Sequence, residues 1–228
     1  MTMPGYSKGV VFGVMPILRP ARLLNSYVLQ PGRLAADVVM FSERGHHALT
    51  RNSNEANSRL NILIAVGAPT RGKEGNAISM ITFQPGIARC TYSKQHLHAD
   101  ELPFFSSGTQ QRLFSCASHV VAPAICYESL QADHARQAAE AGAQIYFTSV
   151  AKSERGVAAA YSHYPLIAKQ HAMTVLMANC VGLADDFVGA GQSGVWDSGG
   201  KLVIQAGTSG EALVMYDFST GKGELVGL

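Results

Sequence analysis

Cys126 lies in Ala124-Ile-Cys-Tyr-Glu128, where the apolar run Val121 to Ile125 meets a polar, helix-like stretch from Gln131 to Gly142. That junction reads as the end of a buried strand followed by a turn into a helix. Such a turn presents one side chain and leaves the next backbone N–H groups without partners, facing the same spot. A nucleophile and an oxyanion donor can then come from one short segment. Taken alone, a free cysteine is more often a small buried hydrophobe. The thiol becomes a nucleophile only in company with a base and with a group that holds developing negative charge.

Three other segments offer that company. Glu43 follows the apolar run Asp37 to Phe41, and a carboxylate after a parallel strand sits where α/β sheets place their sites. Lys94 follows the strand-like Ala88 to Tyr92, in Thr91-Tyr-Ser-Lys-Gln-His-Leu97. A lysine there can stabilise an oxyanion or favour a thiolate. The acidic pair Asp100-Glu101 comes next, ahead of Leu102-Pro-Phe-Phe105. In isolation Glu43 reads as a solvated loop residue and Lys94 as a surface lysine. His96 and His98 are two apart and would share a face on a strand, whereas His46 and His47 are adjacent. No third ligand stands at a zinc spacing, so no metal site is expected. The Gly-rich nucleotide fingerprints and the Gly-x-Ser-x-Gly of serine hydrolases are missing as well.

The elements that must position these residues are mostly strands. The candidates are 37–41, 60–67, 77–83, 88–92, 120–125, 144–149, 174–179, 191–196, 201–206 and 212–218. Several are continuous apolar runs, as expected for strands covered on both faces. Gln84-Pro-Gly-Ile87 and Asp197-Ser-Gly-Gly200 read as hairpin turns. A helix is expected over His134–Ala141 with Asp133 as N-cap and Gly142 past its end, and another over Ser162–Ala172, with Pro165 tolerable only in a first turn. Strand–helix alternation between Val120 and Asn179, flanked by hairpins, predicts an α/β chain with mixed sheets, two of them stacked under helical outer layers. Gly9 to Leu18 reads as a first core strand and not as a leader.

Composition narrows the class. Of 228 residues, 47% are apolar and 15% charged, which suits a packed core. The net charge of +2 comes with no basic cluster, so no nucleic-acid partner is expected. No apolar segment is long enough to span a bilayer. Cys90, Cys116, Cys126 and Cys180 show no tight spacing and read as reduced thiols, hence a cytoplasmic location is expected.

Taken in order, the segments resemble the nitrilase superfamily of carbon–nitrogen hydrolases, which use a Glu-Lys-Cys triad. Phe41-Ser-Glu43 is similar to the family's Phe-Pro-Glu element, Tyr92-Ser-Lys-Gln-His-Leu97 to Tyr-x-Lys-x-x-Leu, and Ile125-Cys-Tyr-Glu128 to Ile-Cys-Tyr-Asp/Glu. Ile64-Ala-Val-Gly-Ala-Pro69, Asn179-Cys-Val-Gly182 and Gly191-Gln-Ser-Gly-Val-Trp-Asp-Ser-Gly-Gly200 extend the likeness, which runs over about residues 35–218. Ser42 stands where the family usually has proline, and Gln131-Ala-Asp133 replaces the usual Phe-Pro-Glu.

The resemblance implies a four-layer α-β-β-α sandwich with mixed sheets, one domain over residues 1–228 whose N-terminal part is atypical, and a homo-oligomer, dimer or higher. It implies that Glu43 is the general base, Cys126 the nucleophile, and that Lys94 and the N–H of Tyr127 hold the oxyanion. A second glutamate assists the lysine; Glu101 is the best-placed candidate and Glu128 the alternative. No cofactor is implied. The expected activity is hydrolysis of a non-peptide C–N bond, a small amide or ω-amide giving carboxylate and ammonia through a thioester. Tyr127 favours amides, because the family's nitrilases tend to have tryptophan after the cysteine. The alternatives are a nitrile hydrolase or N-acyltransferase on the same triad, or a catalytically silent dimeric binding protein.

Overall fold

The structure, a computed structural model, describes residues 12–15, 38–41, 63–84, 86–116, 118–184 and 187–227. The described residues begin with β1 (Phe12–Met15), β2 (Val38–Phe41), β3 (Leu63–Gly72), β4 (Gly75–Gln84) and β5 (Ile87–Ser93). β6 (Phe114–Cys116) and β7 (His119–Ile125) lead into a 3-10 turn (Cys126–Leu130) and helix α1 (Ala132–Glu140). β8 (Ile145–Val150), helix α2 (Glu154–His171) and β9 (Thr174–Asn179) follow. The rest is strand: β10 (Val181–Ala184), β11 (Phe187–Ala190), β12 (Gly194–Trp196), β13 (Leu202–Gln205), β14 (Ala212–Asp217) and β15 (Lys222–Gly227).

These strands make two large mixed sheets and a small hairpin, β10 with β11. In the first sheet the order is β15-β14-β1-β2-β3-β4-β5, with β1, β2 and β3 parallel and the remaining neighbours antiparallel. The second runs β13-β12-β9-β8-β7-β6, with a parallel centre of β7, β8 and β9. β8 and β9 are buried at every position because both faces are covered. Alternation decides which side each residue serves. Val121, Ile125, Ile145, Phe147, Leu176 and Ala178 pack against Leu63, Ala65, Met80 and Tyr92 of the first sheet. Ala122, Ala124, Tyr146, Val175 and Met177 pack instead under Ala135 and Ala138 of α1 and Ala160, Tyr164 and Ile167 of α2. The architecture is therefore the α-β-β-α sandwich with mixed sheets, and its layers over the second sheet lie within the described residues.

Two helix expectations need correction. α1 begins at Ala132 with Gln131 as its N-cap residue, and Asp133 sits inside the first turn. There its carboxylate pairs with Arg136 and Gln137 on the same helix, which serves the side chain better than capping would. α2 starts at Glu154, two turns before the expected Ser162, so Pro165 is in its interior. A proline there removes the bond to the carbonyl four residues back, and the compensation is one continuous buried face of Val157, Ala160, Tyr164, Ile167 and Ala168. β6, β10, β11 and β15 were not expected from the sequence.

Candidate active site

β7 ends at Ile125 because Cys126 leaves the extended region for a left-handed conformation, φ +47°. For an L residue other than glycine this costs on the order of 1 kcal/mol or more, and such strain collects at functional sites. The strained turn is held from below. The Ser129 hydroxyl donates to the Cys126 carbonyl, and the Tyr164 hydroxyl of α2 lies 2.7 Å from Ser129 Oγ. The thiol lies 3.8 Å from the Ala151 carbonyl oxygen and borders an open cleft of about 480 Å³.

Lys94 is fixed just past the end of β5. Its N–H donates to the Ile78 carbonyl of β4 (2.8 Å), and its own carbonyl accepts from Gly108 (2.7 Å). Position 108 has no room for a side chain, since a Cβ there would stand 2.1 Å from the Ser93 carbonyl oxygen. The side chain of Lys94 has no solvent exposure, so the solvated-lysine reading fails. A buried ammonium needs an anion beside it, and its Nζ donates to both carboxylate oxygens of Glu101, at 2.6 and 2.8 Å. The His98 N–H also donates to Glu101, at 2.7 Å. Glu101 and Cys126 line the same cleft, with Tyr127 and His98 edge to face at 5.1 Å on its rim.

Glu128, the alternative to Glu101, is engaged elsewhere. One of its oxygens accepts from the Ile125 N–H (2.7 Å) and the Tyr92 hydroxyl (2.8 Å), the other from the N–H groups of Gln95 (2.7 Å) and His96 (3.3 Å). Full burial pushes its carboxyl up to about 7, against the pull of these donors. The histidines do not pair. β5 ends at Ser93, so His96 and His98 have no common strand face: His96 packs on His134, and His98 bonds Asp100 at 2.6 Å. All four cysteines are free thiols. Glu43, Ser42, His46 and His47 lie outside the described residues.

Two residues at the site were not expected from the sequence. Lys152 stands just past the end of β8, nearly buried, and lines the cleft, so the strand-end rule applied to Lys94 would have found it. Asn179 was noted only within a motif. Its side chain accepts from the Lys152 N–H (2.7 Å) and donates to the carbonyls of Lys152 (3.1 Å) and Gly191 (2.7 Å). It thereby pins the segment whose Ala151 carbonyl meets the thiol.

Among solved structures, a cysteine-to-serine mutant of the amidase of Nesterenkonia AN1, from the nitrilase superfamily, superposes with a TM-score of 0.82 at 18% identity, over 92% of each chain. Another mutant of that amidase, with acrylamide added at its active-site cysteine, gives 0.81 at 18% identity over 92% of this chain and 93% of that one. Glutamine-dependent NAD+ synthetase from Acinetobacter baumannii gives 0.76 at 18% identity and covers 97% of this chain but 48% of its own. At such identities the likeness speaks for the fold. No curated protein matches the chain. Among the described residues no helix is long and apolar enough to cross a membrane. The family model for carbon–nitrogen hydrolase matches residues 20–224, nearly the whole chain, and the protein belongs to that family.

Proposed function

We propose that this protein is an amidase-type hydrolase that cleaves a small amide or ω-amide to a carboxylate and ammonia. The observation that carries the reading is one cleft bordered by a cysteine in a strained strand-end turn and by the carboxylate that holds a buried lysine. Glu43 takes the thiol proton as Cys126 attacks the amide carbon, forming the C–S bond. Lys94 and the N–H of Tyr127, an early group of the 3-10 turn with no partner inside it, hold the oxyanion. Collapse breaks the C–N bond, and the proton on Glu43 leaves with ammonia. Water, deprotonated by Glu43, then opens the thioester to the carboxylate and restores the thiol. Glu101 keeps Lys94 charged and in place. The Nesterenkonia amidase that shares the fold, modified at its cysteine by acrylamide in one mutant, adds support.

The test is ammonia release from short aliphatic amides, ω-amides and the matching nitriles. Amides are expected to turn over, and Cys126→Ala to abolish turnover. Nitrile turnover without amide turnover, or full activity in Cys126→Ala, sinks the reading.

A further inference from the structure

Behind the cleft runs a buried chain of polar groups that the reaction does not use. The Tyr146 hydroxyl of β8 lies 2.7 Å from His134 Nδ1, His134 Nε2 lies 2.9 Å from the Tyr92 hydroxyl, and that hydroxyl donates to Glu128 at 2.8 Å. With Glu128 ionised, above about pH 7, the Tyr92 hydrogen goes to the carboxylate, so its oxygen accepts, from His134 and from the Gln95 amide at 3.2 Å. Nε2 therefore carries the imidazole hydrogen, and Nδ1 accepts from Tyr146. His134 is 1% exposed and Glu128 and Tyr146 have no exposure, so no water substitutes for these partners. The carboxylate at the end of the chain does an unusual thing. It binds the Ile125 N–H, beside Cys126, with one oxygen and the N–H groups of Gln95 and His96, beside Lys94, with the other. One carboxylate thus spans the two turns that carry the nucleophile and the lysine.

We propose that His134 is a positioning residue for this site: by donating to Tyr92 it orients the hydroxyl that fixes Glu128, and Glu128 sets the separation of the Lys94 and Cys126 turns. This rests on reading those two residues as the working pair. The titratable groups around the carboxylate are Tyr92 from β5, His96 from the loop after it, His134 and Asp133 from α1, and Tyr146 from β8. Burial holds the His134 imidazole down to about 4, with His96 acting in the same direction, so it works as a neutral donor.

Two amide variants separate the two ends of the imidazole. The side-chain nitrogen of Gln reaches the place of Nε2, whereas Asn reaches only that of Nδ1. His134→Gln keeps the bond to Tyr92 and is expected to hold kcat within about threefold of the parent, while His134→Asn loses about tenfold in kcat with KM unchanged, as a misplaced reacting group requires. Iodoacetamide labelling of Cys126 needs no substrate and is expected to slow in His134→Asn alone. Equal kcat and equal labelling in the two variants overturn the proposal. Should His134→Asn fail to fold, Tyr92→Phe removes the same link, and parent-like labelling there overturns it equally. Absence of amide turnover in the parent protein would instead overturn the hydrolase reading, leaving the labelling comparison to decide on His134.

Discussion

A fully buried ammonium at Lys94 requires opposite charge close by, and Glu101, itself 19% exposed, supplies it in two short bonds. Breaking such a pair from one side strands the other charge, at a cost of about 3 kcal/mol or more, whereas replacing both partners with neutral groups of similar shape is often close to neutral. Glu101→Gln is therefore expected to lose both activity and several degrees of thermal midpoint. Lys94→Met added to Glu101→Gln should recover most of the midpoint and none of the activity. A double variant as unstable as Glu101→Gln alone would mean that the pair does not carry this charge balance. The position of Lys94 was legible in the sequence, from a strand end and a motif. Its burial was not, because the anion that permits it comes from a loop whose path no periodicity encodes. Between Glu101 and Glu128 the sequence favoured Glu101 by position alone. Geometry separates them: one faces an ammonium, the other a set of backbone donors.

At the scale of elements, the site depends on how the segment after β5 is clamped between β4 and residues 106–108. Gly108 is the narrow point, and Gly86, in the β4–β5 turn at the other end of these strands, is its natural control. A methyl group at 108 collides with the Ser93 backbone, which cannot yield without moving Lys94, whereas at 86 it meets nothing within 4 Å and suffers only the φ of +68°. Gly108→Ala is expected to lower kcat at least tenfold, by the cost of misplacing one reacting group. Gly86→Ala should cost about 1 kcal/mol in urea stability and leave kcat alone. Equal kcat in the two variants would deny the clamp its role. The strands that build this framework were readable because they are buried on both faces: the apolar runs of β3, β8 and β9 announce themselves. β15 did not, since Lys222 to Leu225 are exposed along a sheet edge and carry no apolar pattern. β6, β10 and β11 span three or four residues each, too few to set a period. The first half of α2 was hidden because its buried positions there are Val157 and Ala160, too small to stand out beside Pro165.

Glu128 and His134 join the two sheets and α1, so their titration bears on the stability of the whole molecule. Folding raises the Glu128 carboxyl from 4.5 to about 7 and lowers the His134 imidazole from 6.5 to about 4, both through burial. A raised carboxyl contributes stability that is full below pH 4.5 and is lost as pH rises through 7. A lowered imidazole contributes stability that is full above pH 6.5 and is lost as pH falls through 4. Between pH 4.5 and 6.5 the unfolded chain carries the shared proton on histidine and the native protein carries it on glutamate. Both states then bind one proton at this pair, and its contribution to the slope of stability against pH vanishes. Removing one partner uncovers the other. Relative to the parent, Glu128→Gln should gain about 1.4 kcal/mol of unfolding free energy per pH unit across this window, and His134→Gln should lose about as much. Urea midpoints at half-unit steps of pH measure both slopes, and differences from the parent cancel the carboxylates Asp100, Asp133 and Asp217, whose lowered values are common to all three proteins. Parallel curves for parent and variants would mean that neither buried group changes its proton on folding. Opposite slopes would place a single proton, transferred from imidazole to carboxylate as the sheets close, beneath the turns that carry Lys94 and Cys126.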